Sequence, residues 1–172
     1  MQLTGKQIVK QYIVTDVCEA GIQQQGVDLR VIDIKRVKDV IPGFIPKTGK
    51  TILPYTETVF PREDSVDGHK EWYLEPGYYE VTFAEGCFIP PNASLHIKSR
   101  SSLIRCGAEC RSGQFDGGFK TSHMGCFLKV ELPIYIDPGA RIAQAIVFES
   151  YPVDKEDMYN GQWQNDQQRS TN

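Results

Sequence analysis

Ser99-Arg100-Ser101-Ser102-Leu103-Ile104-Arg105-Cys106-Gly107 puts two guanidiniums and three hydroxyls within seven residues. That makes a poor core segment and a good anion clamp. Arginine offers a planar fork of donors that meets a phosphate two bonds at a time. Serine hydroxyls and the N–H groups of a turn add uncharged donors. The competing reading is a surface turn with scattered charge, since a short motif alone is a hypothesis.

Four other places carry candidate chemistry. Gly113-Gln114-Phe115-Asp116-Gly117-Gly118-Phe119 sets a carboxylate and two glycines between aromatics. It reads as a hairpin turn, or as a carboxylate at a pocket mouth whose backbone approaches a ligand closely. Asp28, inside Gly26–Ile34, is either a strand carboxylate or an acid that orders water or an arginine near phosphates. Gln144 stands among apolar neighbours in Arg141–Phe148, and a buried amide needs partners, backbone or ligand. Tyr159-Asn160-Gly161-Gln162-Trp163-Gln164 has the composition of a segment that folds over a ligand.

Cys106, Cys110, His123 and Cys126 are ligand types that zinc accepts. Their spacing is loose, and ordinary buried thiols are the simpler expectation. The zinc deaminase signature, H-x-E followed by P-C-x-x-C, is absent. With Cys18 and Cys87 the cysteines number five, an odd set that reads as reduced thiols rather than a disulfide framework.

The elements that must position these residues are short. The chain has 172 residues, which predicts one domain, and 40% hydrophobic with 24% charged residues is ordinary for a globular protein. No run approaches the ~18 apolar residues of a membrane span. Met1 to Lys6 lacks an apolar signal core, so a cytoplasmic protein is expected. A net charge of −3 argues against a general nucleic-acid binder but leaves room for a small polyanion in a local basic pocket.

Thr4 with Gln7 suggests a capping box, followed by Ile8, Val9, Tyr12 and Ile13 on one helical face. Val27, Leu29 and Val31 alternate with Asp28, Arg30 and Ile32 as a strand. Residues 36–70 are broken by Pro42, Pro46, Pro54 and Pro61 and read as hairpins, with an exposed loop near 61–70 holding Glu63, Asp64 and Asp67. From Trp72 onward the pattern is β: Tyr78–Phe83, Cys87–Ile89, Leu95–Lys98, Cys126–Leu128, Leu132–Ile136 and Arg141–Phe148, with turns at Glu75-Pro76-Gly77, Ala84-Glu85-Gly86 and Asp137-Pro138-Gly139. Short strands at this spacing predict an all-β barrel or sandwich. The polar tail from Asp157 has no core periodicity.

Five stretches, in order, resemble the motifs of the trimeric dUTPase and dCTP deaminase family. Gly26-Val27-Asp28-Leu29-Arg30 is similar to the first and Ser99–Gly107 to the second. Gly113-x-Phe115-Asp116-x-Gly118-Phe119 is similar to the third and Pro138-Gly139-x-Arg141-Ile142-x-Gln144 to the fourth. Tyr159-x-Gly161-x-Trp163-Gln164 looks like the tail motif of the archaeal-type dUTPase branch. The resemblance implies a distorted jelly-roll-like β barrel over residues 1–156, with a tail, 157–172, that closes over the active site. It also implies a homotrimer with sites between subunits, a deoxynucleoside triphosphate substrate, and Mg²⁺ held mainly by the triphosphate. Arg100, Ser101, Ser102, Arg105 and Gln144 would bind phosphates, and Asp116 would position or deprotonate water or hold the deoxyribose. Gly113, in the same motif, would also contact the substrate. Phe119 would stand against the sugar, and Tyr159, Trp163 and Gln164 would close over base and phosphates. Asp28 and Arg141 would support the clamp.

Within that resemblance the expected activity is hydrolysis of dUTP to dUMP and pyrophosphate; dCTP deamination, alone or with hydrolysis, and non-catalytic nucleotide sensing are the alternatives. Deamination needs a carboxylate beside the base. The corresponding position falls near Gly125 or Cys126, or, with an insertion, near Val130 and Glu131. The segment from Arg105 to Asp116 is also shorter than in the deaminases. Gly117, Lys120-Thr121-Ser122, Asn165 and Asp166 depart from the family pattern and leave the base open.

Overall fold

The computed structural model describes residues 1–63 and 68–164. Asp64, Asp67, and the tail from Asn165 onward, Asp166 included, lie outside the described residues.

Thr4 caps the first helix, α1 (Gly5–Lys10), with both halves of the capping box formed. Ile8 and Ile13 are buried. Tyr12 is a correction to the helical-face reading: the helix has ended, Tyr12 turns at φ 55°, and its ring is exposed.

The framework is antiparallel. Its strands are β1 (Gly26–Val37), β2 (Lys70–Leu74), β3 (Gly77–Phe83), β4 (Ala93–Ser99), β5 (Ala108–Arg111), β6 (Gly125–Val130), β7 (Ile134–Ile136) and β8 (Arg141–Glu149). One sheet runs in the order β4-β8-β1-β3-β6-β5. A smaller sheet pairs β2 with β7 and with Arg62–Glu63. Alternation buries Val27, Leu29, Val31, Val81, Phe83, Leu95, Leu128 and Val147 in one continuous core. A bulge in β1 between Val31 and Asp33 turns Ile34 inward and leaves Ile32 outside.

The sheet curls until its two end strands meet. Leu95 and Phe115 form a bridge, and beyond it serine hydroxyls replace the ladder. Ser112 Oγ donates to the Ile97 carbonyl at 3.4 Å, and Ser99 Oγ accepts the Cys110 N–H at 2.8 Å. The result is a nearly closed barrel. The sequence reading missed β5, whose Ala-Glu-Cys-Arg carries little β propensity.

Glu85 is fully buried and holds the start of the barrel. One carboxylate oxygen accepts the Arg30 Nε–H at 2.7 Å and the other accepts the Arg30 backbone N–H at 2.8 Å. Arg30 Nη2 reaches the Asp16 carbonyl at 2.6 Å. Ala84-Glu85-Gly86 reads only as a turn in the sequence, with no signal for a buried ion pair.

Candidate functional site

Ser99–Gly107 is a strand end running into a short helix, α2 (Ser101–Arg105), rather than an open turn. Leu103 anchors α2 in the core, which leaves Ser101, Ser102 and Arg105 exposed. Gly107, at φ +79°, ends the helix where the Leu132 side chain packs against it.

Three donors converge on Asp28. Register sets Gln144 directly opposite Asp28 across β8 and β1. Gln144 Nε2 donates to Asp28 Oδ1 at 3.3 Å, while Arg100 Nε and Arg141 Nη1 lie 3.4 and 3.5 Å from Oδ2. Arg100 Nη1 also donates to the Arg141 carbonyl at 3.0 Å, and Arg141 Nη1 bonds the Ala20 carbonyl. Asp28 is 1% exposed and both guanidiniums are about a third exposed. The carboxylate therefore fixes the inner ends of the forks and leaves their outer faces to solvent.

Burial pushes the Asp28 carboxyl above the usual range, and Arg100, Arg141 and Gln144 pull it back in part. A raised folded pKa means that the stability contribution is present below the unfolded value of 3.8 and is lost as pH rises through the raised value. Ionised Asp28 thus costs folding free energy at neutral pH. Asp28→Asn is expected to leave Tm within a few degrees of wild type or above it, while KM for a triphosphate rises about tenfold as the forks lose their anchor. Thermal unfolding beside steady-state kinetics checks both halves, and a large Tm loss with unchanged KM would show a purely structural acid.

The second group gathers on the Asp116 turn. Asp116 is exposed, and its Oδ1 accepts the Gln114 Nε2–H at 2.7 Å. The Phe119 N–H donates to the Asp116 carbonyl at 3.0 Å, closing the turn. The turn does not join two strands as a hairpin. Phe115 before it bridges Leu95, and Lys120–Thr121 after it pairs with Cys87–Phe88. Phe119 is buried, edge-on to Phe115 at 5.1 Å and to Tyr159 at 5.3 Å. Gly118 requires glycine twice over: φ is +93°, and a Cβ there would stand 3.0 Å from the Met158 side chain. Gly113 is exposed, with open space beside it.

The tail lies on this turn in the same chain. The Tyr159 N–H donates to the Gly117 carbonyl at 2.8 Å. The Gln164 amide is bound to backbone: Oε1 accepts the Lys120 N–H and Nε2 donates to the Gly118 carbonyl, each at 2.8 Å. Gln162 does the same to Thr51, accepting its N–H at 2.9 Å and donating to its carbonyl at 2.7 Å. Trp163 is 39% exposed beside them. The Thr51–Gln162 pair went unread because Thr51 sits in a proline-broken stretch without periodicity.

The structure does not unite the two groups within one chain. Asp116 follows Phe115, which bridges Leu95 at one end of β4, and Arg100 follows the other end. Five residues of strand separate them, about 16 Å at the usual rise.

Glu131 follows β6 and is exposed, its Oε1 2.5 Å from Lys129 Nζ, which holds the carboxyl below its ordinary value. The inward positions of β6 are Cys126, Leu128 and Val130, and none carries a carboxylate. Of the cysteine and histidine set, Cys110 and Cys126 meet. Their hydrogen bond, then burial, pushes the Cys126 thiol well up, and a thiol held protonated is a poor metal ligand. The His123 ring turns to the Ala84 carbonyl at 3.3 Å.

The sequence model described as dCTP deaminase-like matches residues 2–151. A Halobacterium salinarum protein named probable deoxyuridine 5'-triphosphate nucleotidohydrolase is 35% identical over 156 residues, covering 89% of this chain and 88% of its own. A protein of the same name without the qualifier, from Methanocaldococcus jannaschii, is 36% identical over 132 residues, covering 76% of this chain and 80% of its own. Among solved structures, the 2'-deoxycytidine 5'-triphosphate deaminase from Agrobacterium tumefaciens shares the fold, with a TM-score of 0.59 at 15% identity. That match covers 85% of this chain and 47% of the deaminase, so the chain spans about half the length of that structure.

Proposed function

The chain belongs to the dCTP deaminase-like family, and on that premise we propose that it hydrolyses dUTP to dUMP and pyrophosphate. The observation that carries the reading is the clamp at Asp28, where one buried carboxylate orients two arginine forks and an amide toward a polyanion. Hydrolysis is favoured over deamination because Glu131 is turned out onto Lys129 and the inward face of β6 is apolar.

In this reading Asp116, oriented by Gln114, takes a proton from water as its oxygen attacks the α-phosphorus. The bond to the bridging oxygen breaks, and pyrophosphate leaves opposite the attack. Arg100, Arg105, Ser101, Ser102 and Gln144 receive the charge that develops on the phosphate oxygens. The donors of the clamp are cations, hydroxyls and an amide, which do not form a protein cage for a hard cation. This fits Mg²⁺ that would enter bound to the triphosphate and would supply charge neutralisation there. Phe119, wedged by Phe115 and Tyr159, excludes a ribose hydroxyl at the sugar. Trp163 covers the base, and Gln164 holds the described part of the closing segment, 157–164, on the body of the domain. With the deoxynucleotide pool in the cytoplasm, the enzyme acts there.

The separation along β4 supports a site completed by a second copy, in a homotrimer: Asp116 and its turn from one chain, the clamp from the next. Two arms test the function and the assembly. Wild-type protein with Mg²⁺ and dUTP should release pyrophosphate and dUMP, with no ammonia from dCTP. Ammonia from dCTP would overturn the assignment. Asp116→Asn and Arg100→Ala chains, each inactive alone, should regain activity when unfolded together and refolded in equal amounts. About a quarter of all sites then draw both intact residues, each from a different chain. No recovery would mean that each site lies within one chain.

A further inference from the structure

His69, Glu71 and Asp137 stand together away from the clamp and the Asp116 turn. Each offers one ligand atom, and the three atoms lie within 4.8 Å of one another. The backbone enforces the meeting. Ile136 pairs with Trp72, so the next step along β7 and β2 sets Asp137 across from Glu71. His69 lies two residues before Glu71, on the same face of the extended chain. His69 Nε2 is already 3.0 Å from Asp137 Oδ1.

Two carboxylates facing each other on a ladder repel. The neighbouring cations are engaged elsewhere. The Arg62 guanidinium, registered opposite Glu71, lies over the Tyr73 ring at 5.2 Å, and Lys70 Nζ reaches Glu63 at 3.9 Å. Among the described residues no lysine or arginine pairs with Glu71 or Asp137.

We propose that His69, Glu71 and Asp137 bind a divalent transition-metal cation of the zinc type. One imidazole with two carboxylates suits Zn²⁺ or Co²⁺, whereas Mg²⁺ prefers oxygen alone. Ligand bonds of about 2.1 Å in a tetrahedron place donors about 3.4 Å apart. The His69–Asp137 edge already meets that spacing, and half-exposed Glu71 closes the remainder by side-chain rotation. A water fills the fourth position. The cation ties β2 to the Asp137-Pro138-Gly139 turn, whose Gly139 N–H donates to the Val31 carbonyl at 2.7 Å as the chain enters β8. It anchors a turn and stands apart from the nucleotide chemistry.

Thermal unfolding of the full chain without nucleotide is the test, after chelation and then with Zn²⁺, Co²⁺ or Mg²⁺ at 100 μM. Zn²⁺ and Co²⁺ are expected to raise Tm by about 5 °C, as for a ligand well above its Kd. Co²⁺ should add the visible absorption of a four-coordinate site. His69→Ala, Glu71→Gln and Asp137→Asn, each referred to its own metal-free Tm, should lose the shift and the absorption. No shift with Zn²⁺ or Co²⁺ overturns the proposal, as does a shift that survives in His69→Ala or Asp137→Asn. An equal shift with Mg²⁺ overturns the choice of ligand chemistry.

Discussion

Asp116→Asn should lower kcat for dUTP by about 10²–10⁴-fold, the usual worth of a positioned general base. Asparagine keeps the shape, and its carbonyl oxygen can still accept the Gln114 Nε2–H that reaches Asp116 at 2.7 Å. What is lost is basicity. The binding site proposed above is the clamp around Asp28, which draws on β1, β4 and β8 and is untouched by the change. The Kd of a non-hydrolysable dUTP analogue should therefore stay within about threefold. That split assigns Asp116 to the transition state rather than to ground-state binding. Titration calorimetry with the analogue, beside pyrophosphate release, measures both halves. Unchanged kcat would remove Asp116 from the mechanism, and loss of binding in step with kcat would make it a sugar ligand.

Arg30→Ala should be the most destabilising of the substitutions considered. Glu85 is 0% exposed and its counterion is Arg30, at 2.7 Å. Removing one partner of such a pair leaves a buried charge that keeps the Arg30 backbone N–H bond, a loss of about 3–5 kcal/mol. For a chain of this size that lowers Tm by roughly 6–20 °C. Arg30→Ala with Glu85→Gln should recover part of the loss, since an amide buries no charge, and thermal unfolding of the single and double variants measures it. No recovery in the double variant would assign the effect to lost arginine packing instead.

Arg30 also shows what the sequence conveyed and what it withheld. Its place in Gly26-Val27-Asp28-Leu29-Arg30 marked it as part of a motif, yet its partner is Glu85, 55 residues away in a stretch that reads as a turn. The strands were legible wherever apolar residues alternate, as in β1, β3, β4 and β8. β5 was not, because Ala108–Arg111 takes its place from β6 beside it rather than from its own composition. Asp28 was legible as a type and ambiguous as a role. Its burial depends on Arg100 and Arg141 arriving from other strands. Tyr12 misled because helical spacing continued past the residue where the helix stops. The aromatic contact of Phe119 with Tyr159 joins two stretches that composition marked separately and could not pair.

The joint where β4 meets the chain after β5 has a dynamic consequence. Elsewhere in the sheet neighbouring strands are joined by rows of amide bonds with occasional bulges, while here, beyond the Leu95–Phe115 bridge, two side-chain hydroxyls, Ser99 and Ser112, span the gap. Side-chain bonds of this kind give way at lower free energy than a laddered pair, so the barrel's local opening begins along this line. α2 is the segment that connects the two sides, and it carries Ser101, Ser102 and Arg105. The residues proposed to grip a triphosphate thus ride on the stretch of wall most free to breathe, and an anion bound there would act as a splint across it.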